Sequence, residues 1–90
     1  MGVKIHIHPD MYYLTDNQEI IEVTGNTVGE CLRQLITLYP GIGELIFYKD
    51  GQLQTFIEIY INRMTASPNE LVRAVKDGDE IHLMMTVAGG

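Results

Sequence analysis

Ninety residues, 46% hydrophobic and 20% charged, describe one small globular domain. A chain of this size has no room for two independent cores, yet it buries about 60 to 70% of its unfolded surface. Twelve acidic against six basic residues leave a formal net charge of −6, which argues against nucleic acid or an anionic membrane as partner, since both require a basic footprint.

Val3, Ile5 and Ile7 alternate with Lys4, His6 and His8, a period of two that predicts a half-buried opening strand. Pro9-Asp10 breaks it, and a polar stretch leads to a second strand over 19–23, antiparallel to the first. Gly25-Asn26 then punctuates the chain. A helix follows over 28–39. Thr27 and Glu30 form a capping box in which the carboxylate reaches back to the Thr27 amide, and Val28, Cys31, Leu32, Leu35, Ile36 and Tyr39 make one apolar stripe. Pro40-Gly41 is read as its stop.

The apolar run 45–48 is read as strand-like and meets a turn at Lys49-Asp50-Gly51. The clearest strand lies at 56–62, with Ile57, Ile59 and Ile61 on one face and Phe56, Glu58, Tyr60 and Asn62 on the other. A helical turn is expected at 71–75. Asp77-Gly78-Asp79 then turns the chain into a last strand over 80–86, with Ile81, Leu83 and Met85 sharing a face. Five strand-like runs and one helix do not alternate as a doubly wound sheet; one mixed sheet with the helix across one face buries both apolar stripes. That is the α+β β-grasp, or ubiquitin-like, arrangement, with first and last strands parallel at the centre. Residues 1–86 form this domain and 87–90 a flexible tail.

The chain ends in Val87-Ala88-Gly89-Gly90. Two glycines without side chains suit a tail that threads a narrow channel and delivers its carboxylate to another protein's active site. Chain ends also fray without any function, so the tail gains its meaning from the fold before it.

Thr27-Val28-Gly29-Glu30-Cys31-Leu32, Ile59-Tyr60-Ile61-Asn62, Asp77-Gly78-Asp79-Glu80-Ile81 and the Val87–Gly90 tail together resemble the ubiquitin-like sulfur carriers of the MoaD/ThiS type. Gly51, Leu53, Phe56 and the Ile-Tyr-Ile-Asn run look most like the cysteine-pathway branch. Met85-Thr86 stand where many relatives have prolines. The resemblance implies that an ATP-dependent activating enzyme adenylates the Gly90 carboxylate, a poor electrophile until it carries a good leaving group. Attack by sulfide or a persulfide then leaves a thiocarboxylate, whose sulfur a second, biosynthetic enzyme directs at a substrate in the cysteine or homocysteine, molybdopterin or thiamine pathway. Val87, Ala88 and Gly89 would be the recognition segment. The carrier would have no catalytic residues and bind no cofactor, ATP being used by its partner. A ubiquitin-like modifier joined to lysines through Gly90 begins with the same adenylation and stays open beside the carrier reading. A structural subunit with an incidental Gly-Gly is the third option.

Other residue groups point to less. Cys31, the sole cysteine, lies on the apolar stripe and reads as a structural thiol. His6, His8 and His82 share outward parity on neighbouring strands, but no Asp, Glu or Cys is clearly placed to complete a metal site, so none is assigned. Phe56, Tyr60 and Met84 are expected on the helix-free face and are read as a partner interface. Asp77, Asp79 and Glu80 are read as mainly a solvated turn. No apolar run approaches the roughly 20 residues of a membrane span, and strand alternation from Val3 leaves no signal peptide. The expectation is a cytoplasmic carrier, monomeric when free.

Overall fold

A computed structural model describes residues 2–86 of the chain. Strands β1 (Val3–His6), β2 (Ile20–Val23), β3 (Ile57–Ile61), β4 (Met64–Thr65) and β5 (Glu80–Met85) form one sheet in the order β2-β1-β5-β3-β4. β1 runs parallel to β5 with Lys4, Ile5 and His6 in register with Glu80, Ile81 and His82. The other neighbours are antiparallel. Helices α1 (Val28–Leu38) and α2 (Pro40–Ile46) complete the main elements, with short 3₁₀ turns at Pro9–Leu14 and Glu70–Val72. This is the mixed-sheet β-grasp expected from the order of elements.

Alternation in the strands decides which side chains meet the helices. Val3, Ile5, Ile21, Val23, Ile57, Ile59, Ile81 and Leu83 are all buried on one face. Opposite them lie Val28, Cys31, Leu32 and Leu35 of α1, which follow i, i+3, i+4, i+7 spacing. Each such side chain contributes about 1.5–3 kcal/mol when withdrawn from water.

One detail of α1 differs from the sequence pattern. The Thr27 hydroxyl accepts from the Glu30 amide at 3.1 Å as expected, but the Glu30 carboxylate accepts from the Asn26 amide, at 2.8 Å, rather than from Thr27. Asn26 to Val28 is meanwhile tied as an extended bridge to the segment around Ala74, with Val28 N donating to Arg73 O and Val75 N to Asn26 O. This bridge ties the residues just before the helix to a segment far along the chain.

Pro40 also does two jobs. It ends α1 and, at the first position of α2, supplies a preset φ where no amide hydrogen bond is needed. The run 45–48 is therefore not a strand: its first half closes α2, and Phe47 makes only an isolated bridge to Leu53 across the Tyr48–Gly51 turn. Ile42 and Ile46, four apart, are both fully buried. Gly41 and Gly43 lower the helix propensity and hide this signal. Gly43 earns its place by proximity, since a Cβ there would stand 3.1 Å from Ile36 Cγ2.

Leu35→Ala removes a fully buried side chain from the α1–sheet interface, and we expect a loss of about 2–5 kcal/mol. Urea denaturation measures it directly; a change below about 1 kcal/mol would mean that α1 does not face the sheet core.

Candidate functional site

The helix-free face of the sheet is built by the side chains that alternate with the core. One row crosses four strands in register: Ile20, His6, His82 and Tyr60, continuing to Thr65 on β4. A second row places Lys4 between Glu22 and Glu80, and a third pairs Glu58 with Met84. Ile20 and Met84 are 47% and 42% exposed. Tyr60, His82, Met84, Glu58, Asn62 and Arg63 border a shallow depression of about 440 Å³.

Tyr60 and Met84 thus occupy the outer face where the alternation put them. Phe56 does not join them. It lies one residue before β3, in the turn that leads into it, and is half-buried against the core. Strand parity does not extend into a turn, which is why the sequence pattern misplaces this ring. Its carbonyl is still used by the sheet: Thr86 donates to Phe56 O through its amide at 2.8 Å and its hydroxyl at 3.3 Å. The end of β5 is held to β3 as far as Thr86. Val87, Ala88, Gly89 and Gly90 lie outside the described residues.

The histidines separate into two groups. His8 stands beyond β1 and its Nδ1 accepts from the Asp10 amide, capping the first 3₁₀ turn. His6 and His82 stack with ring centroids 4.2 Å apart, and His6 Nε2 lies 2.5 Å from Glu80 Oε1. Glu80 is the carboxylate that the sequence reading did not place: the parallel register sets it diagonally across from His6. Burial first, and then the neighbouring His6 ring, hold His82 below the usual imidazole range, against the opposing pull of Glu80.

Asp79 also departs from the sequence pattern. It is only 9% exposed, not a solvated turn residue. Its carboxylate accepts from the Lys76 amide at 3.0 Å and from Asn62 Nδ2 at 3.3 Å. Gly78, at φ +92°, allows the tight turn that brings these groups together. Asn62 sits at φ +57° in the β3–β4 turn and returns a bond from the Glu80 amide to its own Oδ1. Asp79 is therefore a lock on the entrance to β5. Cys31 is fully buried, and burial followed by the charge of Glu30 pushes its thiol above the usual range, which disfavours the thiolate.

The profile of the ThiS family matches residues 10–90. The chain belongs to the ThiS family. This ThiS-family chain is 30% identical to "Sulfur carrier protein CysO" of Mycobacterium tuberculosis over 93 residues, covering 100% of both chains. Its fold matches the crystal structure of the Amycolatopsis orientalis BexX/CysO complex with a TM-score of 0.87 at 29% identity, covering 99% of this chain and 100% of the other. SAMP1 from Haloferax volcanii follows at TM-score 0.79 and 28% identity, with 98% of each chain covered. Among the described residues no helix is long and apolar enough to cross a membrane.

Acid should expose the role of Asp79. Hydrogen bonds from the Lys76 amide, outweighing the opposite effect of burial, hold its carboxyl below the ordinary value near 3.8. The stability it contributes is complete above that value and is lost as pH falls through the depressed folded one. Asp79→Ala leaves the Lys76 amide without this acceptor and should cost about 1–3 kcal/mol at neutral pH. Its loss of stability on acidification should be shallower than in the parent chain. Denaturant melts from pH 7 to pH 2 test this; parallel acid limbs would contradict it.

Proposed function

We propose that this protein is a sulfur carrier whose Gly90 carboxylate is adenylated by an ATP-dependent activating enzyme and converted to a thiocarboxylate. The observation that carries this reading is the alignment with a sulfur carrier over the whole of both chains, together with the matching fold. Cys31 is buried, His6 and His82 stack on an open face, and the catalytic groups would belong to partner proteins.

The division of labour follows from chemistry. A carboxylate resists nucleophilic attack because its charge is delocalised and oxide is a poor leaving group. Adenylation exchanges that leaving group for a phosphate ester anion. Attack by a sulfide or persulfide sulfur forms the C–S bond and expels AMP; a persulfide donor must then lose its S–S bond to a thiol, leaving the thiocarboxylate. Val87, Ala88 and Gly89 would lie in the activating enzyme's channel, where small side chains permit close approach. Tyr60 and Met84, on the outer face of β3 and β5, would dock against that enzyme or the sulfur-accepting one. The cysteine-pathway branch is the resemblance we favour for the acceptor.

A second reading is supported by the likeness to SAMP1, a small archaeal modifier protein. There the same activated Gly90 would be joined to a lysine amine of another protein.

Intact-mass analysis of the chain recovered from its native host separates the two. A carrier shows sulfur replacing one oxygen at Gly90; a modifier appears as Gly-Gly remnants on lysines elsewhere. Gly89→Val should abolish adenylation while leaving the melting temperature unchanged, since β5 ends at Met85, four residues earlier. Normal adenylation of that variant would contradict the threaded tail.

A further inference from the structure

On the outer face, His6, Glu80 and His82 bring one ligand atom each within 4.8 Å of one another. We propose that these three side chains form a binding site for a single divalent transition-metal ion of the zinc class, independent of the tail chemistry.

The backbone does most of the assembly. His6 and His82 are register partners on adjacent parallel strands, both interior to the sheet, and Glu80 lies two residues before His82 on the same face. Parallel strands fix the two imidazole-bearing Cα atoms at the interstrand spacing, about 4.8 Å. The rings already stack with planes inclined by only 17°, and His6 Nε2 already touches the Glu80 carboxylate. Tetrahedral zinc, with bonds of about 2.0–2.1 Å, needs ligand atoms about 3.3 Å apart. The ligand atoms lie within 4.8 Å of one another, so binding requires the side chains to turn toward a common centre.

Donor type selects the ion. Two imidazoles and one carboxylate match zinc and its neighbours, whereas magnesium and calcium require an oxygen cage. A fourth position is left to water or to a donor from outside the chain. The site is reachable, with the His6 and Glu80 side chains 29% and 45% exposed. The net charge of −6 favours a cation, although Lys4 shares this face in register with Glu80. Ile20 and Tyr60 flank the imidazole pair on either side. His8, turned to its own 3₁₀ cap, is not a member.

The test is a titration of the full chain with zinc chloride at neutral pH in a buffer that does not chelate. The wild-type chain should take up one equivalent. His82→Ala and Glu80→Gln should each weaken binding by more than ~100-fold, beyond the loss caused by an outer-shell group. His8→Ala should bind as the parent does. Cobalt(II) should give the intense visible bands of a four-coordinate ion in the parent and lose them in His82→Ala. Should a variant fail to fold, imidazole nitrogen NMR of the wild-type chain decides: zinc must shift His6 and His82 and leave His8 in place. Absence of saturable binding, unchanged affinity in His82→Ala, or shifts centred on His8 would each overturn the proposal.

Discussion

The parallel pairing of the first strand with the last is the constraint on which the rest of the structure depends. Parallel neighbours cannot be joined by a tight turn, so everything between β1 and β5 must travel out and return. That detour carries β2, both helices and the β3–β4 hairpin, and it gives α1 its place across the sheet. The pairing extends past the strand itself: Lys4 N donates to Asp79 O at 3.1 Å, and Gly78 N to Gly2 O at 2.9 Å. Ile5 and Ile81, partners in this ladder, are completely buried, so the central ladder also anchors the core.

Function in this account is a matter of presentation. β5 is gripped by β1 on one side and β3 on the other, and Thr86 is tied to Phe56 where the described chain ends. The strand that precedes residue 87 is therefore hydrogen-bonded along both edges. The outer face carries Tyr60 and Met84 beside the central histidine pair, all positioned by the register of β1, β5 and β3.

Much of this was legible in the residue pattern. Period-two alternation located β1, β2, β3 and β5, and the stripe from Val28 to Leu35 located α1 with its buried face. What was hidden had physical causes. α2 was obscured because Gly41 and Gly43 depress helix propensity, while the Ile42–Ile46 spacing that reveals it straddles them. Phe56 was misplaced because alternation fails outside the strand. Asp79 looked solvated in the sequence, since acidic turns usually are; its burial depends on Asn62, seventeen residues away. Glu80 was read as part of that turn, and only the β1–β5 register reveals it beside His6.

Native-state hydrogen exchange tests the central claim most directly. If the β1–β5 ladder holds the domain together, amides in the middle of these strands exchange only through global unfolding, with the free energy and denaturant dependence of the whole domain. The short edge strand β4, whose Met64 is 75% exposed, and α2 should open at lower free energy. Exchange of central β1 or β5 amides through an opening easier than that of β4 or α2 would contradict the account.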